Sequence, residues 1–123
     1  SRPTHSHEEL GRLQTMFPNR IWFDLAKNKE SGGVAICYFQ VTPKVLMTFY
    51  MCQTSVALGK HGKNVLIDFG IQRAIQNQIE YFDFGGSTIG YEIVNIGVSK
   101  FKESFGAYAS IRQKLIWNPK EIK

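Results

Sequence analysis

Tyr81-Phe82-Asp83-Phe84-Gly85-Gly86 reads as an aromatic strand that runs out into two glycines. Aromatic side chains suit a pleated, half-buried surface, and glycine at a strand's end leaves backbone open to close approach by a ligand. Shortly after it comes Phe101-Lys102-Glu103-Ser104-Phe105-Gly106. Val98, Phe101 and Phe105 fall on one side of a short helix over about residues 98–105, and Gly106 supplies its C-terminal stop. A strand ending in bare backbone, followed by a lysine-bearing helix, is where chemistry is to be sought.

Outward from this pair, the rest of the chain alternates in type. Ser6-His7-Glu8-Glu9 has the pattern of a capping box, and Leu10, Leu13 and Phe17 then recur at helical spacing until Pro18. Ile21–Leu25 and Val34–Phe39 are strand runs joined by the polar turn Asn28-Lys29-Glu30-Ser31-Gly32, with a glycine expected at positive φ. Thr42-Pro43-Lys44 breaks the second strand, and Val45–Cys52 pairs back as a third. Asn64 is expected to cap a long helix with the buried stripe Ile67, Ile71, Ala74, Ile75 and Ile79. The Tyr81–Phe84 strand is expected at the centre of the sheet, and Ala107–Trp117 as a last strand, ended by Asn118-Pro119. The class is α+β: a mostly antiparallel sheet covered by helices.

At 123 residues the chain is long enough for one core, and it is expected to form a single domain over residues 1–123. No apolar run is long enough for a membrane span, so insertion into a bilayer is not expected. Cys37 and Cys52 are the only cysteines, both inside apolar runs, where reduced, buried thiols in a cytoplasmic protein are the simplest reading. Neither belongs to a close Cys/His cluster, so no metal site is expected. The net charge is +5, and the tail carries Lys100, Lys102, Arg112, Lys114, Lys120 and Lys123 against Glu103 and Glu121. Such a surface attracts phosphates or is simply a solvated face; no nucleic-acid motif sharpens it.

The two opening motifs resemble the late segment of GNAT-fold acyltransferases, in particular the Fem-type aminoacyltransferases and related acetyltransferases, where an FDFGG strand precedes an FKxxFG helix. The resemblance extends over about residues 5–117 and matches the GNAT order from its second helix onward. It implies a GNAT-like twisted sheet flanked by helices but lacking the opening strand and first helix. The chain opens on Ser1, as a processed start or an excised piece would; the missing elements either lie elsewhere in a longer parent, of which this is expected to be the C-terminal part, or are supplied by another subunit. It implies an acetyl or aminoacyl group moved onto an amine of a small molecule or peptide, with acetyl-CoA or an aminoacyl-tRNA as donor. The alternative is a non-catalytic GNAT-like half that binds a partner or forms a homodimer through an exposed sheet edge.

Two site candidates follow. The resemblance makes the junction before the long helix a pyrophosphate site, here Gly59, Lys60, Gly62, Lys63 and Asn64; helix N-termini favour anions, and glycines let backbone close on a phosphate. The loop keeps two glycines without the acetyl-CoA enzymes' spacing, which weakens that cofactor specifically, and a plain strand-to-helix turn is the competing reading. By the same resemblance Lys102 would steady the oxyanion formed during transfer, and Phe101 would wall the channel; by spacing alone, Phe101 is core and Lys102 its solvated neighbour. Asp83 is a candidate general base among aromatic residues, or else a carboxylate that accepts backbone hydrogen bonds. Tyr81, Tyr91 and Tyr108 are candidate proton donors, and Glu92 and Asn95 candidate lining of an acceptor pocket. His5, His7 and His61 read as exposed.

Overall fold

A computed structural model describes residues 4–29, 32–55, 61–90 and 93–121. The chain divides into two compact units, Ser1–Gly85 and Gly86–Lys123.

In the first unit, helix α1 (His7–Met16) starts on a complete capping box: the Glu9 amide donates to Ser6 Oγ at 3.2 Å, and the Ser6 amide donates to Glu9 Oε2 at 2.7 Å. The Ser6 amide holds the Glu9 carboxyl below its ordinary range. Strands β1 (Ile21–Lys27), β2 (Gly33–Thr42) and β3 (Val45–Gln53) form an antiparallel meander. Helix α2 (Gly62–Gln76) then leads to β4 (Tyr81–Asp83), which pairs parallel to β3. The sheet order β1-β2-β3-β4 makes it mixed and mostly antiparallel, so the α+β class holds.

Packing follows the two-residue period of the strands. Val34, Ile36 and Tyr38 of β2 face α2 and are buried, as is Leu46 of β3. From α2 come Leu66, Ile67, Gly70 and Ala74. Burying each large aliphatic side chain stabilises the unit by about 1.5–3 kcal/mol. Beyond α2's end, Ile79 is buried as expected, with its amide on the Ala74 carbonyl at 2.8 Å.

Several expectations need correction. Tyr81–Asp83 is an edge strand of this sheet rather than a central one. Helix α2 begins at Gly62 with His61 as its N-cap, not at a cap on Asn64. Its buried row is rotated, leaving Ile75 62% exposed, because a glycine row lies closest to the sheet. Gly32 is not at positive φ; its amide instead donates to Asn28 Oδ1 at 2.7 Å, which closes the turn with a side chain. Cys52 is exposed, since it sits on the sheet face away from α2.

The second unit is small. Strands β5 (Thr88–Ile89) and β6 (Ile93–Val94) pair antiparallel where a turn and loop were expected. Helix α3 (Ile96–Glu103) is capped by Asn95, whose side chain accepts from the Val98 amide at 3.1 Å. The cap shifts the helix two residues earlier than the apolar pattern suggested. Residues 107–118 form neither helix nor strand, so the expected last strand is absent there. Strand propensity alone does not make a strand; it needs a neighbour to complete the ladder, and among the described residues none pairs with it.

Candidate functional site

Because β3 and β4 are parallel, their carboxyl ends lie at the same end of the sheet. They pair only over Val45–Met47 and Tyr81–Asp83. After Asp83 the pairing stops while β3 runs on from Thr48 to Gln53, so β3's outer edge carries no described strand there. The stop is built locally. Asp83 Oδ1 accepts the Gly85 amide at 2.7 Å, and Gly85 adopts φ +73, a conformation that glycine takes without steric cost. Asp83 is thus the backbone acceptor of the turn that ends β4. Phe82 and Phe84 meet edge to face at 5.0 Å, and Phe82 also lies near Tyr38 at 6.3 Å.

The first turn of α2 comes to the same end. Gly62 sits so close to β2 that a Cβ there would be 2.7 Å from Val34 Cγ2, and Val34 is the register partner of Gln53. His61 caps the helix in a left-handed conformation (φ 54) without a side-chain cap bond. Lys63 is half-buried and Asn64 exposed. A helix N-terminus with a lysine in its first turn presents partial and full positive charge to an anion. Gly59 and Lys60 lie outside the described residues, as do Tyr91 and Glu92.

Phe101 and Lys102 belong to the second unit. Phe101 packs edge to face on Phe105 at 5.4 Å. The Lys102 ammonium donates to the Gly86 carbonyl, the second glycine of the aromatic strand's exit. Gly86 and Lys102 both belong to the second unit, so this bond is internal to it. Asn95 is spent on the α3 cap, and its amide donates to the Ser87 carbonyl at 2.7 Å. Tyr81 and Tyr108 are exposed.

Sequence reasoning missed one polar cluster. Arg73 of α2 makes a two-pronged ion pair with Asp24 of β1, Nη1 to Oδ2 at 2.9 Å and Nη2 to Oδ1 at 3.0 Å. Its guanidinium also lies 5.5–5.7 Å from the ring centres of Trp22, Tyr38 and Phe69. The two charged side chains are 20% and 16% exposed, so the pair clamps α2 across the sheet where water screens it little. Beneath it the Tyr38 hydroxyl donates to the Leu66 carbonyl. Burial, and then the Asp24 carboxylate, push the Tyr38 phenol up, with Arg73 opposing them. No local pattern signals residues so far apart; only the pairing of β1 with α2 brings them together.

On the face opposite α2, Leu25, Ala35 and Cys52 are cross-strand neighbours flooring an open trough of about 580 Å³, rimmed by Lys27, Lys29 and Thr54. Among the described residues no group of three His, Cys, Asp or Glu could hold a metal ion, and no helix is long and apolar enough to cross a membrane. Comparison with family models, with curated proteins and with solved structures returns no match to this chain.

Proposed function

We propose that this chain is a Fem-like acyltransferase domain of GNAT type, lacking the fold's opening strand and first helix, that moves an acetyl or aminoacyl group onto an amine. The supporting observation is the β3–α2–β4 unit, whose parallel strands part after Met47 and Asp83, with the first turn of α2 further along, against Val34 and so level with Gln53 at the end of β3. Along the outer edge of β3 beyond Met47, where no described strand pairs, backbone amides and carbonyls would receive an extended arm such as pantetheine. Gly62, Lys63 and Asn64, with Gly59 and Lys60, would hold the donor's phosphates.

In this mechanism the acceptor amine attacks the donor's carbonyl carbon directly. A C–N bond forms, the thioester of acetyl-CoA or the ester of an aminoacyl-tRNA breaks, and the amine's proton leaves to a base or to water. Positioning supplies most of the rate. Lys102 is assigned to the developing oxyanion and Phe101 to excluding water, on the strength of their motif. Asp83 is either the base or the residue that shapes the Gly85 turn.

The test is melting of the full chain with CoA, acetyl-CoA and aminoacyl-tRNA, followed by a transfer assay with whichever donor stabilises it. Lys102→Ala should lower turnover by about 10²–10³-fold, the usual cost of removing one oxyanion donor, with Lys102→Arg restoring part of it. Asp83→Asn keeps an acceptor for the Gly85 amide, so lost turnover assigns Asp83 as base and retained turnover assigns it to the turn. No stabilisation by any of these donors ends the acyl-transfer reading.

One observation favours a second reading. Strand β1 closes the sheet with no described strand beyond it. A GNAT-like half-domain acting as a binding or dimerisation module would use that edge, and would sediment as a dimer without responding to any donor.

A further inference from the structure

Leu25, Ala35 and Cys52 floor an open trough on the face of the sheet turned away from α2, yet farther along that face Ile21 and Cys37 are each only 3% exposed. The register shows which residues share this covered half: Ile21 pairs with Phe39, and Cys37 with Tyr50. Helix α1 is anchored at both ends to cover them. Its amino end is held on β3. The His5 amide donates to the Tyr50 hydroxyl oxygen at 3.2 Å, His5 Nδ1 lies 2.7 Å from the same oxygen, and the ring packs near Phe49 at 5.5 Å. Its carboxyl end is held on β1, where the Phe17 carbonyl accepts the Arg20 and Ile21 amides at 3.0 and 3.2 Å. Between these anchors α1 crosses β2 at the level of Cys37 and Phe39. The span fits, since the helix's ten residues rise about 15 Å and two strand spacings measure about 10 Å.

The cover is weakly held. Helix α1 buries no residue, and Leu10 and Leu13 are its only half-buried side chains. A helix this short is not stable alone in water, so α1 depends on its capping box and its two anchors. Helix α2, on the other face, buries Leu66, Ile67, Gly70 and Ala74. Elements with few buried contacts open at a lower free energy than the whole fold. The turn Pro18-Asn19-Arg20, between α1 and β1, is where the chain can swing.

We propose that α1 is a hinged cover, latched by His5 on Tyr50, whose opening bares Cys37 with the aromatic side chains Phe39, Phe49 and Tyr50 and so lengthens the trough along the sheet. The helix unfolds locally about the turn at 18–20 while the sheet and α2 stay folded. This device stands independently of the acyl-transfer reading.

The experiment is labelling of Cys37 by a thiol reagent in the Cys52→Ser chain, at neutral pH, over a urea series below the unfolding transition. Cys37 is expected to react through the local unfolding of α1, at a rate that depends little on urea. Tyr50→Phe keeps the ring, removes the hydroxyl and should speed labelling about tenfold. Ser6→Ala, an exposed change that removes the cap, should speed it about fivefold. Gly11→Ala, with nothing within 4 Å of its added Cβ, should slow it about fivefold by favouring the helix. Asp24→Asn breaks the ion pair on the α2 side, lowers global stability, and should leave the urea-free rate unchanged. A rate that climbs with urea as steeply as global unfolding, an acceleration by Asp24→Asn that matches its loss of stability, labelling of Cys37 as fast as that of Cys52, or no response to Ser6→Ala and Gly11→Ala would each overturn the proposal.

Discussion

Gly70→Ala adds one methyl group at the most crowded point between α2 and the sheet. A Cβ built there lies 2.6 Å from Tyr38 Cζ and 2.7 Å from its hydroxyl oxygen, and closer still to Cε1. Tyr38 is 0% exposed, and its hydroxyl is tied to the Leu66 carbonyl one turn earlier on the same helix. The ring therefore cannot give way without breaking that bond, and α2 cannot lift without unpacking Ile67 and Ala74. Overpacking of this kind costs about 1–3 kcal/mol, and loss of the tyrosine bond adds about 1 kcal/mol. The better helix propensity of alanine returns about 1 kcal/mol. The net expectation is destabilisation of about 1–3 kcal/mol. Gly11→Ala is the matched control, because nothing lies within 4 Å of its added Cβ and α1 buries no residue. There only the propensity gain remains, read as increased helicity. Urea denaturation followed by circular dichroism measures both variants, and a Gly70→Ala midpoint at or above the parent's refutes the reasoning about this contact.

The two thiols should differ sharply in reactivity. Burial pushes the Cys37 thiol from 9.0 up to about 11, while Cys52 is exposed, so a thiol reagent at neutral pH should modify Cys52 promptly and Cys37 only on unfolding. Linkage gives the sign: the unfolded chain loses the Cys37 proton first, so stability should fall as pH rises from about 9 toward 11, and Cys37→Ala should flatten that slope. Breaking the Asp24–Arg73 clamp from either side, with Asp24→Asn or Arg73→Met, should destabilise by about 1–3 kcal/mol. That is below the 3–5 kcal/mol typical of fully buried pairs because water reaches part of this one; a double-mutant cycle returning no coupling would refute the clamp.

The meander was legible because each strand is short, apolar and bounded by a turn whose chemistry is local, as in Asn28–Gly32 and Thr42–Lys44. The α1 start was legible for the same reason, since Ser6 and Glu9 need only each other. The phase of α2 was not. Its contact row runs through Gly62 and Gly70, which carry no hydrophobic signal yet sit nearest the sheet, so the isoleucines drew the reading toward Ile75. The edge position of Tyr81–Asp83 depends on what pairs beyond it, a question no window of sequence answers. The same holds for residues 107–117, whose strand pattern states a preference but not a partner. Among the site residues, Asp83 and Lys102 drew attention by their motifs, and their bonds to Gly85 and Gly86 are local backbone closures that composition could not foretell.

These two closures show why the aromatic strand's glycines matter more than its aromatics. A parallel edge strand would ordinarily continue beside its neighbour for as long as backbone groups can pair. Here Asp83 captures the Gly85 amide, turning a ladder donor inward, and Gly85 takes a conformation incompatible with extension. One residue later the Gly86 carbonyl is taken by the Lys102 ammonium rather than by a strand. Two successive backbone groups are thus taken up by side chains, and among the described residues no strand pairs with the outer edge of β3 from Thr48 onward. Any ligand of this fold that binds in an extended conformation finds hydrogen-bonding groups at that edge. Asp83 shapes that edge by ending the strand that would otherwise continue along it.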